Sequence, residues 1–116
     1  MSQTDYSILT SLLQDPEISD IKCVSHNDIL VKTWEKKKAK SDISFATKAD
    51  YTQFLDRILE QNHISERTDQ NYGLIRFIDE YSEQYALKVV YSNPEFNAFM
   101  EPLLHIRKLR KPQNET

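Results

Sequence analysis

Glycine occurs once in these 116 residues, at Gly73, and cysteine once, at Cys23. A phosphate-binding loop uses closely spaced glycines so that consecutive amides can curl around phosphate groups. With one glycine and no Gly-Lys-Ser or Gly-Lys-Thr sequence, this chain cannot hydrolyse a nucleotide through such a loop. A lone cysteine also excludes an intramolecular disulfide and a thiolate metal cluster. It sits in Ile21-Lys22-Cys23-Val24, where a small buried hydrophobe is the plain reading and a reactive thiol the alternative. No run approaches the ~20 apolar residues that cross a bilayer, and no basic region followed by an apolar stretch opens the chain. A cytoplasmic location is therefore the expectation.

Hydrophobic residues make up 39% and charged residues 28%, an ordinary composition for a folded domain and a poor one for general disorder. The length suits one compact unit with one core. The formal charge is -3, but the positive residues are gathered. Lys32, Lys36, Lys37, Lys38 and Lys40 form one cluster, and Arg107, Lys108, Arg110 and Lys111 another. Asp79, Glu80 and Glu83 make an acidic connection between two apolar runs. Such separation suits electrostatic docking on a partner; a solvated surface explains each cluster taken alone.

Ile8, Leu9, Leu12 and Leu13 give one apolar face of a first helix, with Thr4 as N-cap and Asp5 in the first turn. Pro16 disfavours helical geometry at Asp15, which stops the helix near Gln14. Strand character over Ile21 to Val24, a turn at Ser25 to Asp28 and a second run over Ile29 to Trp34 predict a hairpin. Glu35 to Lys38 reads as a polar reversal and Ser41 to Phe45 as a third short strand, with Trp34 covering the sheet or a helix junction. Thr47 caps the clearest helix, in which Tyr51, Phe54, Leu55, Ile58 and Leu59 recur at helical spacing up to about Gln61. Tyr72 to Ile78, Tyr85 to Tyr91 and Leu103 to Leu109 are the remaining strands, and residues 110–116 read as a tail or a cut linker. The sum is an α+β fold: one or two helices from the N-terminal half on a mainly antiparallel sheet.

Chemistry is harder to find. His26, His63 and His105 belong to different elements and to no metal-ligand spacing, so neither a metal site nor a catalytic residue is assigned. The hydroxyls lack a nucleophile-elbow context. In the last strand, Leu104, Ile106 and Lys108 face one way and His105, Arg107 and Leu109 the other. Arg107 can fork two hydrogen bonds to a phosphate or a carboxylate. An exposed strand with solvated basic groups, a charged interface, and a surface touching a nucleotide held by another domain all remain open. Nucleic-acid binding is the weaker option, because the chain is acidic overall and no aromatics are interleaved with its basic patches.

The phrase Leu12-Leu13-Gln14-Asp15-Pro16-Glu17-Ile18-Ser19-Asp20-Ile21 resembles the opening of the N-terminal domain of the type II/type IV secretion ATPases. The likeness is to the tight-adherence pilus and conjugative-transfer branch. The hairpin at Ile29 to Trp34, the helix around Tyr51 to Gln61 and the ending Leu104-His105-Ile106-Arg107-Lys108 follow in the family's order, so the resemblance covers roughly residues 8–109. It implies a non-catalytic domain, residues 1–109, that precedes a RecA-like core in a hexameric motor for secretion, pilus assembly or DNA transfer. The implied partners are that RecA-like domain, neighbouring subunits and inner-membrane secretion components, with peripheral placement at the inner membrane through the assembly. ATP and Mg are implied for a parent motor and no cofactor for this chain. Arg107, with Lys108 beside it, is the implied nucleotide-facing or interface position. Lys36, Lys37, Lys38 and Lys40 are the candidate basic interaction patch. The family's Gly-Ser-Arg phrase is missing from Asp79 to Ala86, which removes a second nucleotide-facing arginine. A fragment of a longer ATPase is the expectation; a naturally short relative, or a stand-alone protein- or nucleic-acid-interaction module from a mobile element, is the alternative.

Overall fold

The computed structural model describes residues 5–62, 74–81, 86–92 and 103–109. Their architecture is α+β, with helices packed on one face of a six-stranded antiparallel sheet. The strands are β1 (Ile18–Ser25), β2 (Asp28–Thr33), β3 (Lys38–Lys40), β4 (Leu74–Asp79), β5 (Leu87–Ser92) and β6 (Leu103–Lys108). Their spatial order is β3-β2-β1-β6-β5-β4, so two three-stranded meanders join where the first strand pairs with the last. The helices are α1 (Thr10–Gln14), which continues a 3-10 turn at Ser7–Leu9, and α2 (Lys48–Gln61).

Helix α2 forms where its local signals say it must. The Thr47 side chain accepts a hydrogen bond from the Asp50 amide at 3.1 Å and so satisfies one donor of the first turn. Tyr51, Phe54, Leu55, Ile58 and Leu59 then fall on one buried face. They meet Leu9 and Leu13 from the first helical segment and Ile21, Cys23, Ile29, Leu87, Val89, Leu104 and Ile106 from the inner face of the sheet in one core. Phe45 lies 4.9 Å from Phe54 and 5.3 Å from Tyr51, ring centre to ring centre. Tyr6 packs edge-on to Tyr81 and Phe54, and its hydroxyl donates to Asp79 Oδ2 at 2.5 Å. That bond fastens the beginning of the described chain to the end of β4 and gives the buried Asp79 carboxylate a partner.

Several expectations are corrected. The first helix is one and a half turns of α preceded by a 3-10 turn, in which the Asp5 side chain accepts from the Ser7 amide at 2.8 Å. Thr4 lies outside the described residues. Strand β1 begins three residues earlier than the apolar pattern indicated, at Ile18. The third strand is Lys38–Lys40, not Ser41 to Phe45; the latter is irregular, and its Phe45 turns into the core. Lys36 takes a left-handed backbone (φ 69°) in the tight connection that sets this strand beside β2. Tyr72, Gly73 and Tyr85, assigned to strands by pattern, lie outside the described residues. The last strand is not exposed along an edge. It is held between β1 and β5, with its backbone paired on both sides.

Candidate functional site: the open face of the sheet

Helices cover one face of the sheet, and the period-2 alternation of the strands decides what the other face carries. In β1, Ile21 and Cys23 point inward, so Asp20 and Lys22 point outward. Cross-strand pairing extends this choice to every strand. One row runs Lys38, Lys32, Asp20, Arg107, Lys88 and Ile78 from β3 to β4. The next runs Lys40, Leu30, Lys22, His105, Val90 and Arg76. Among the described residues, these two rows gather seven Lys and Arg side chains and one carboxylate, Asp20, while Asp28 shares their outward parity at the far end of β2. A chain that is acidic overall has one strongly basic surface.

Asp20 organises the centre of that surface. Its side chain is 8% exposed. The Ser19 hydroxyl donates to its Oδ1 at 2.6 Å, His105 Nε2 lies 2.8 Å from Oδ2, and Arg107 Nε lies 3.3 Å from the same oxygen. Ser19 reaches this position through an irregularity in the β1–β2 pairing between Ile18 and Asp20. Burial alone would raise the Asp20 pKa. The hydrogen bonds from Ser19 and His105 and the charge of Arg107 outweigh it and hold the carboxyl below its usual range. Ser19 bonds to Asp20 and not to His105, so these three side chains do not form a nucleophile-base pair.

Arg107 is half exposed and, among the described residues, its terminal nitrogens have no partner. The guanidinium is thus anchored through Nε and free to fork toward an incoming oxyanion. No family model matches the chain, and no curated protein matches it. Its functional reading rests on this surface and on the sequence phrase around Asp20.

Lys108 behaves differently from its neighbour. It is 3% exposed, faces away from Arg107, and its Nζ donates to the Asp15 carbonyl at 2.8 Å. The two residues do not share a surface, and Lys108 instead ties β6 to the end of α1. Burial pushes its pKa down to about 8, partly opposed by the Asp15 charge. Between about pH 8 and 10.5 the unfolded chain keeps a proton that the folded chain has released, so raising the pH favours folding. Urea midpoints should accordingly rise through this window for the wild type, after other groups are matched, and Lys108→Met should flatten that rise.

The lysine cluster also divides. Lys38 and Lys40 stand on the outer face at the β3 edge. Lys36 and Lys37 belong to the connection before it, where Lys37 lies 3.7 Å from Glu35, both highly exposed. Arg110, Lys111 and His63 lie outside the described residues. Lys22, Lys88 and Arg76 were not singled out by sequence, since each stands apart from the clusters; the signal that finds them is the outward parity of their strands. Cys23 is buried, with its thiol pushed up to about 12 by desolvation, and it remains protonated at neutral pH.

Proposed function

We propose that this chain is a non-catalytic docking domain of a secretion, pilus or conjugation ATPase, which rests on RecA-like motor domains and assists their nucleotide-linked movement. Two things support this reading: the sequence phrase from Leu12 to Ile21, and the Arg107 guanidinium held by Asp20 at the centre of a basic sheet face. The second carries the argument. A pre-anchored arginine gives geometric selectivity for a carboxylate or phosphate without first losing its own rotamer freedom. In the proposed assembly the motor supplies ATP and Mg, neighbouring subunits supply the docking surfaces, and inner-membrane secretion components lie further out. The domain contributes charge and shape but no catalytic group.

Arg107→Glu should weaken docking on a separately purified RecA-like motor domain by about tenfold or more, close to 1.4 kcal/mol. Arg107→Lys should fall between, because an ammonium lacks the fork. Calorimetric titration with and without a non-hydrolysable ATP analogue measures both. If the folded wild-type domain neither binds the motor nor alters its assembly, this reading is wrong. A second reading, a stand-alone interaction module, is favoured by how far the basic face extends beyond Arg107.

A further inference from the structure

We infer that the open face between β3 and β6 is a binding site for the phosphodiester backbone of double-stranded nucleic acid, read without regard to sequence. Lys22, Lys32, Lys38, Lys40, His105 and Arg107 line a shallow trough of about 540 Å³ on this face. Among the described residues, none of the four lysines has a carboxylate partner. The inference goes beyond docking on a motor and does not depend on it.

The arrangement carries a cost that a ligand would relieve. Lys32 stands directly opposite Lys38, and Arg107 directly opposite Lys88. Like charges so placed in a sheet are destabilising. Lysines on an edge strand have an ordinary explanation, since they discourage edge-to-edge aggregation, and that accounts for Lys38 and Lys40. It does not account for Lys32 on β2, Lys22 on β1, Arg107 on β6 or Lys88 on β5, all of which are interior strands. Asp20, the one carboxylate in these two rows, is already engaged by Ser19, His105 and Arg107.

Extent and shape select the polyanion. From β3 to β5 the cations cross four strand spacings, about 19 Å, in two rows roughly 7 Å apart. A single phosphate or nucleotide would leave most of that array unused. Two lines of cations suit the regularly spaced phosphates of a duplex laid across the face, and the vesicles in the test below distinguish an anionic bilayer. Leu30 and Val90 are the apolar residues in the inner part of this face, and no aromatic side chain stands in either row. Trp34 stands at the margin, beside Lys32 and Arg107, with its indole Nε1 bonded to the Pro16 carbonyl at 3.1 Å. Single strands are held by successive bases stacked on several aromatics, so one tied tryptophan at the margin favours the duplex backbone. An acidic protein would be expected to bring apolar anchors, for which the face offers little room.

The test uses the whole 116-residue chain and a fluorescently labelled 20-base-pair duplex of arbitrary sequence, read by anisotropy from low to moderate salt. Binding should weaken with salt at a log-log slope of about -4.5, as expected for five cations neutralising phosphates. Lys32→Glu/Lys38→Glu/Lys40→Glu should lower affinity by about 100-fold or more at low salt, and Lys38→Gln/Lys40→Gln, a milder pair, by about tenfold. Arg57→Glu, on the exposed side of α2, should leave binding unchanged. Circular dichroism confirms that each variant is folded. Duplexes of unrelated sequence should bind equally. The inference is overturned by absence of duplex binding at low salt, by trough variants that bind like wild type, by preference for the single strand, or by stronger binding to polyglutamate or anionic phosphatidylserine vesicles. Because motor docking is read through Arg107 and duplex binding through the β2–β3 lysines, each proposal can fail while the other stands.

Discussion

Leu55→Ala should lower the unfolding free energy by about 2–5 kcal/mol, through lost burial and the cavity left behind. Leu55 is 1% exposed and lies in the core cluster with Tyr51, Phe54, Ile58 and Leu59 of its own helix. Leucine and alanine are both good helix formers, so the change reads packing rather than helix propensity. In urea the midpoint should move by on the order of 1–3 M, given the usual denaturant dependence for a domain of this size. Gln53→Ala, two positions away on the exposed side of α2, should stay within about 0.5 kcal/mol of wild type. Equal, small effects at the two positions would mean that α2 is not seated on the sheet as described.

The same helix shows what a sequence of this kind makes legible. Thr47, Asp50 and the spacing of five apolar residues are local signals, and the structure returns them nearly residue for residue. Pro16 likewise ends α1 where backbone restriction requires, with Asp15 extended after Gln14. Strand β3 was missed for a physical reason. Lys38-Ala39-Lys40 has no apolar alternation, because an edge strand is held by backbone pairing to Lys32, Val31 and Leu30 and need bury nothing. Phe45 misled in the opposite sense: a buried aromatic on an irregular segment looks like a strand residue.

Non-local pairing was the larger gap. Alternation in the last strand correctly separates Leu104, Ile106 and Lys108 from His105 and Arg107, and it implies that Lys108 faces inward. It cannot say which strands lie alongside. Asp20 and His105 are 85 residues apart in sequence, and only the β1–β6 register brings them to 2.8 Å. The basic face is therefore not visible as one cluster in the chain: Lys32, Lys38 and Lys40 lie close in sequence, but Lys22, Arg76, Lys88 and Arg107 join them only through the sheet. Its members are spread over six strands, and they become neighbours because each strand turns the same parity outward.

Asp20→Ala is the second large effect, expected at about 1.5–3 kcal/mol at neutral pH, since it removes hydrogen bonds to a nearly buried carboxylate. The lower part of that range is favoured because His105 and Arg107 are 41% and 51% exposed and can recover water. The pH dependence gives the sharper test. A carboxyl whose folded pKa is depressed stabilises the fold above its unfolded value and loses that contribution as pH falls through the folded value. Wild type and Asp20→Ala should thus differ most at pH 7 and converge below about pH 4, near the unfolded aspartate pKa. Urea midpoints measured from pH 7 down to 2.5 would reveal it, and a constant gap would reject the assigned role. Asp20→Asn separates charge from shape: it retains a hydrogen-bonding group but leaves the facing cations without an anion. If repulsion among those cations matters, added salt should restore part of the stability lost by Asp20→Asn while changing wild type less, because screening replaces what the carboxylate supplied.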